Sequence, residues 1–318
     1  METKAAVAET DTTADTVVSV VLATNRAGRT PFLDAAVASV LAQRHSRLEL
    51  FIVDDGSPDP DAIGRLVSSD PRIRSTRVDG IGVAGARNVG VSLTGGSVLA
   101  FIDDDDVWDP ERLARHLVVM EADPEIAVSY CRMRTIDSSG NELAPADQTP
   151  IHGIHDVYRR TTGILMGNTV LRRDALISAG GFNPVFQIAE DLDLLLRLAG
   201  SGRVAFVDGP ALVDYRAHEN STTQDHRKVA ESVRTVLRLH RWAVLQRGRP
   251  DLAADLAHSL AANERYAAWS AARAARRSAR SGHLIAAARE LVWAIRFAPG
   301  VPLNWASHRF ARRRSGSA

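Results

Sequence analysis

The sequence has a single cysteine, Cys131, among 318 residues. An intrachain disulfide framework is therefore excluded, and a cysteine-based zinc site has too few ligands. Nothing argues for an oxidising compartment. No run of 18 apolar residues occurs, so no membrane-spanning helix is expected. The opening METKAAVAETDTTADT lacks the basic start and apolar stretch of a secretory signal. Residues 1–16 are expected to be a disordered leader, and the protein to be cytoplasmic. No repeat of fixed period is present.

What is there is a globular composition, 45% apolar and 24% charged, which at this length buries a core without staples. The net charge of +1 hides an asymmetry: residues 226–318 hold 18 Lys and Arg against 5 Asp and Glu, whereas 1–225 hold 21 against 33. An acidic region and a basic region with different partners are expected.

The acidic region alternates short apolar runs with helical patterns. VVSVVLAT (17–24), LELFIVDDG (48–56) and SVLAFIDDDD (97–106) read as strands buried on both faces, and RIRSTRV (72–78) as a weaker one. Thr30 is expected to cap a helix with Pro31 at its first position. Helices are also expected over 59–69, over 84–93, and after Asp109-Pro110 with Leu113, Leu117 and Val118 on one side. The alternation predicts a mostly parallel sheet flanked by helices. In such sheets ligands sit beyond the carboxyl ends of the strands, where two acid clusters fall.

The first cluster is Asp103-Asp104-Asp105-Asp106. Adjacent carboxylates repel one another unless a cation or donors compensate, and hard divalent cations take oxygen ligands. On an extended backbone Asp103 and Asp105 point to one side. The plain alternative is a solvated acidic turn. The second cluster, Asp54-Asp55-Gly56-Ser57, can accept from a base or ribose hydroxyl, or form an ordinary turn. GIGVAG (80–85) is a literal G-x-G-x-x-G and opens a rival reading, a NAD- or FAD-dependent oxidoreductase; the polar segment before it does not suit that fingerprint. Arg87 and Asn88 follow it, placed to face a diphosphate or a base. Glu190-Asp191 opens an apolar helix, either as a first-turn cap or as a general base. Tyr215-Arg216-Ala217-His218 closes the last strand, with His218 a candidate for a metal or phosphate.

Together VSVVLATNRAGRTPFLDAAVASVLAQ, LELFIVDDGSPD, GARNVGVSLTGGSVLAFIDDDDVWDPERL, GNTVLRRDALISAGGFNP, AEDLDLLLRLA and VDYRAHENS resemble the family 2 glycosyltransferases, over about residues 17–223. The resemblance implies an α/β, GT-A-type, Rossmann-like sheet over 17–225, followed by a basic helical region over 226–318. It implies a nucleoside-diphosphate sugar as donor, uridine by family habit, and inverting transfer to a carbohydrate, lipid-linked or small-molecule acceptor in building cell-surface polysaccharide or glycoconjugate. Carried over by motif, Thr24, Arg26, Asp54, Asp55, Arg87, Asp103 and Asp104 contact the nucleotide. Asp103 and Asp105 take the place of the D-x-D motif that holds Mg²⁺ or Mn²⁺, with the register within 103–106 open by one residue. His218 approaches the metal or diphosphate, and Asp191 beside Glu190 is the base. A nucleotidyltransferase and a non-catalytic nucleotide-sugar binding module stay open as alternatives.

The basic region names no chemistry. Its Trp242, Trp269, Trp293 and Trp305 lie in Ala- and Arg-rich helical text with breaks near Gly248 and Gly282. It reads as helices packed on a catalytic domain or as a peripheral surface for anionic membrane on its inner face. Nucleic acid is the weakest of the partners, since basic charge alone argues little for it.

Overall fold

A computed structural model describes residues 16–219 and 225–301. The expected leader (Thr16 apart) and Trp305 lie outside the described residues. The chain forms two compact units, one of 1–154, 162–187 and 197–217, the other of 155–161, 188–196 and 218–318.

The first unit is built on one sheet. β1 (Val18–Thr24), β2 (Leu48–Asp55), β3 (Ile73–Val78) and β4 (Val98–Asp103) form a parallel block in the order β3-β2-β1-β4. β8 (Thr169–Arg172) pairs antiparallel with β4 and with β6 (Ile126–Ile136). β6 lies parallel to β9 (Arg203–Arg216), which carries the two-residue β5 (Val107–Trp108) on its far side. β7 (Glu142–Ala144) pairs with β6. The β-branched runs explain the centre: Val18, Val20, Val21 and Leu22 of β1 and Leu50, Ile52 and Val53 of β2 are all buried. β3 at the edge buries little beyond Ile73 and carries Arg74 and Arg77, which suits an edge that must not pair further.

The helices α1 (Phe32–Leu41), α2 (Pro60–Ser69), α3 (Gly82–Ser92) and α4 (Arg112–Ala122) connect these strands, and the short α5 (Ile154–Arg159) and α6 (Arg173–Ser178) come later in the chain. α1 starts one residue later than expected. Pro31 holds the N-cap position with no side-chain hydrogen bond, so Thr30 is not the cap. On α4, Leu113 and Leu117 are buried but Val118 is 61% exposed. His116 and Met120 complete the buried face instead, as the three- and four-residue helical spacing requires. His116 sits against Ser129 Oγ at 2.7 Å, and burial holds its imidazole neutral. Beside it, buried Arg112 stacks on Trp108 at 3.8 Å and donates to the carbonyls of Gly167 and Thr169. Burial pulls Arg112 down to about 10.

The second unit is helical. α8 (His226–Gln246), α9 (Pro250–Arg280) and α10 (Leu284–Phe297) follow one another, broken at Gly248 and Gly282, both at positive φ. Asp255 of α9 is 2% exposed and takes hydrogen bonds at 2.5 Å from Arg159 Nε and His155 Nδ1, which tie residues 155–161 to α9. His240 of α8 meets Asp193 at 2.8 Å. Residues 190–196 are the greater part of α7 (Glu190–Ala199). Among the described residues no helix is long and apolar enough to cross a membrane.

Gly90 of α3 lies so close to β1 that a Cβ there would overlap the Val21 side chain. Gly90→Ala is expected to destabilise the protein by about 1–3 kcal/mol, the usual cost of overpacking. Urea unfolding at unchanged m-value is the check; an unaltered midpoint would show that α3 docks with slack.

Candidate active site

Parallel register brings the first unit's acids to one end of the sheet. Thr24 stands opposite Asp54, and Ala23 opposite Asp103. The strand ends at Asp103, and a turn follows, closed by Asp106 N–H donating to the Asp103 carbonyl at 3.2 Å. The turn gives the four carboxylates different partners. Asp104 accepts from the Thr24 hydroxyl and the Arg26 guanidinium. Asp103, Asp105 and Asp106 offer oxygens that all lie within 4.8 Å of one another. Extended strand geometry alone brings only Asp103 and Asp105 together; the turn adds Asp106 because it folds the backbone back on itself.

The acids are compensated from three places in the chain. Arg26 reaches Asp105 at 2.9 Å as well as Asp104. Burial pushes the Asp104 carboxyl up and Arg26 pulls it back, leaving it above the ordinary range. For Arg26, burial acts downward, but the Asp104 and Asp105 charges prevail and raise it. Arg87, itself buried, donates to Asp103 at 2.8 Å and lies over the Phe182 ring at 5.4 Å. Asp106 is fully enclosed. Burial first, then the charges of Asp103 and Asp105, hold its carboxyl well above the usual range. It accepts from the Arg216 backbone N–H at 3.0 Å.

Arg216 was not singled out in the sequence, where His218 two residues on took the attention. Its Nε donates to the Asp105 carbonyl at 2.9 Å and its Nη1 to the Asp137 carbonyl at 3.0 Å, with the guanidinium over Phe32. Arg77 was also missed. It stands in register with Asp54 on the polar edge strand and donates to Asp54 at 2.5 Å and to the Ser57 carbonyl at 3.1 Å. The one signal for either is its place at the carboxyl end of a strand that abuts an acid cluster.

Asp55 answers the glycine fingerprint. Its two carboxylate oxygens accept from the backbone N–H groups of Ile81 and Gly82, each at 2.8 Å. The amides at the start of α3, which a dinucleotide's diphosphate would need, thus hold a carboxylate of the protein itself. Asn88 does not face a ligand either. Its side chain donates to the Phe182 carbonyl at 2.8 Å and accepts from the Phe182 N–H at 2.9 Å.

In the second unit, Glu190 is buried and Asp191 half-buried in the first turn of α7. Ala189 just before them has φ +66°, a left-handed conformation uncommon for alanine. Arg160, also at positive φ, feels the Asp191 charge. His218 lies two residues beyond β9 and is half-buried.

The chain is similar to known proteins both in sequence and in structure. The family model described as glycosyl transferase family 2 matches residues 19–178. An uncharacterized glycosyltransferase of Nostoc is 40% identical over 102 residues, which is 31% of this chain and 32% of that protein. The chain thus spans about a third of that relative. It covers more of the Escherichia coli UDP-Glc:alpha-D-GlcNAc-diphosphoundecaprenol beta-1,3-glucosyltransferase WfgD, 28% identical over 66% of this chain and 81% of that one. In structure it is similar to Staphylococcus aureus TarS 1-349, with a TM-score of 0.59 at 15% identity over 86% of this chain and 90% of TarS. That likeness shows a shared fold. TarS 1-349 has also been crystallised with UDP-GlcNAc.

Asp55→Ala is expected to cost about 1–3 kcal/mol of stability, because two amides at the start of α3 lose their acceptor. Chemical denaturation with no nucleotide present reads it directly, and an unchanged midpoint would mean that Asp55 does not hold α3.

Proposed function

The chain belongs to glycosyl transferase family 2, and from that premise we propose that it moves a sugar from a UDP-sugar to an acceptor hydroxyl with inversion. The observation that carries the reading is the sorting of the acid run: Asp104 bound to Thr24 and Arg26, and three carboxylates gathered beside it. The donor base is supported by two likenesses, a WfgD named for UDP-Glc and a TarS bound to UDP-GlcNAc. The WfgD name also supports a sugar carried on a lipid diphosphate as the acceptor class.

The three gathered oxygens suit a hard cation, and a positive charge among them would oppose the burial and the neighbouring charges that raise the Asp106 carboxyl. Asp103, Asp105 and Asp106 would hold Mg²⁺ or Mn²⁺, which when bound offsets the charge on a departing diphosphate. Thr24, Arg26 and Asp104 form one wall of the nucleotide pocket. Asp54 and Asp55 shape its base and ribose side, each fixed by the protein groups it holds. Arg87 keeps Asp103 turned toward the other two acids.

Asp191 is assigned as the base and Glu190 as its neighbour on the strength of their motif. Asp191 takes the proton of the acceptor hydroxyl while that oxygen bonds to the anomeric carbon. The bond from that carbon to the diphosphate breaks, and its electron pair leaves on the diphosphate oxygen. His218 is assigned to the metal or diphosphate by motif alone.

Melting in the presence of UDP, TDP, GDP, CDP or NADH, each with Mn²⁺ or EDTA, tests the donor. A ligand at 100 times its Kd stabilises by about 2.7 kcal/mol. The expected result is a shift with UDP that EDTA abolishes and Asp105→Ala removes. A shift with NADH alone would overturn the reading. Asp191→Asn is expected to lower kcat by about 10²–10⁴ while the UDP shift persists; turnover at the wild-type rate would remove Asp191 from the mechanism.

A further inference from the structure

The described surface of α10 has two sides. Ala287, Ala294 and Phe297 are buried, and Trp293 stacks on Phe297 at 4.9 Å. Glu290 also faces inward, bound to Arg227 at 2.9 Å and to His226 at 3.2 Å. The other side is apolar and open. Leu284, Leu291 and Ile295 lie on one line at helical spacing, with Ile285 and Val292 on the line beside it. Leu284 is 69% exposed and Ile285 73%. Isolated exposed aliphatics are normal, but five on one face of four turns form a patch that means something.

The charges around that patch have one sign. Arg289 and Arg296, seven residues apart, border it along the helix and are exposed. Just across the turn at 281–283, Arg273, Arg276, Arg277 and Arg280 are exposed at the end of α9. From Arg265 to Arg289 the sequence has no Asp or Glu.

We propose that the outward face of α10, with the arginines ending α9, docks on an anionic lipid bilayer, α10 lying in the plane of the interface. An apolar stripe bordered by arginines is the pattern of interfacial helices. The anionic headgroups supply the negative charge that this surface lacks. A second copy of the chain would match the aliphatic stripe, but it would present arginines to arginines. No described helix can span a bilayer, so this contact lies on the membrane rather than across it. The proposal does not depend on the chemistry assigned to the acids of β4.

The test uses the full chain and vesicles of phosphatidylcholine with or without 30% phosphatidylglycerol, a composition of about the order that makes a surface strongly anionic. The expected result is co-sedimentation with the anionic vesicles only, weakened by raised salt. Arg276→Gln, Arg277→Gln and Arg280→Gln combined should weaken binding about a hundredfold, from about 1 kcal/mol per arginine near the surface. Ile285→Glu with Val292→Glu should abolish it. Both changes fall on exposed positions, and an unchanged far-UV circular dichroism spectrum and urea midpoint confirm that each variant is folded. No binding to anionic vesicles at low salt would overturn the proposal. So would equal binding to neutral vesicles, or a chain that is dimeric in ultracentrifugation and made monomeric by Ile285→Glu with Val292→Glu.

Discussion

Mutual repulsion of four carboxylates at the end of one strand is the constraint around which the first unit is arranged. Side by side on an extended strand they could not all stay charged. The turn after Asp103 seats Asp104 on Thr24 and Arg26 and leaves the other three together, and donors from three distant parts of the chain meet them: the Arg26 guanidinium after β1, the Arg87 guanidinium in α3, and the Arg216 backbone N–H at the end of β9. Two of these arginines lie over an aromatic ring, Arg87 over Phe182 and Arg216 over Phe32. The order of the sheet follows from the same need. β1, β2 and β4 must be adjacent and parallel for Thr24, Asp54 and Asp103 to share an end.

Family membership and internal geometry support one reading from different sides. The matched region, 19–178, contains every acid and arginine of that strand-end cluster except Arg216. Asp55 shows how a motif can mislead when read alone. The glycine loop after β3 has the spacing of a dinucleotide fingerprint, yet its amides grip a carboxylate one strand away. The glycines serve the same backbone geometry in both cases, and only the neighbouring strand decides what the amides hold.

The strands were legible because burial on both faces demands continuous β-branched runs, and VSVVLAT, LELFIV and VLAFI have them. The acid clusters were legible because they follow those runs directly. Local detail was less so. Val118 fell on the wrong side of α4 because a buried histidine, not a valine, completes that face. Thr30 looked like a cap, but Pro31 took the position. Asp106, Arg77 and Arg216 gain their meaning from tertiary register, which no window of sequence contains. The basic text of 226–298 read as helices with two breaks, and they are there. Which residues of α10 face outward depended on what α8 and α9 cover.

The pairing of Asp106 with Arg216 spans 110 positions, and that separation has a consequence for the order of assembly. A ribosome releases β1, β2 and β4 long before it makes β9. Until then the acid turn lacks one of its donors, and the strand that should lie beside β6 does not exist. Loop closure must precede such distant pairings, so they form late. The turn at 103–106 therefore cannot complete its set of donors until the whole of β9 has been made.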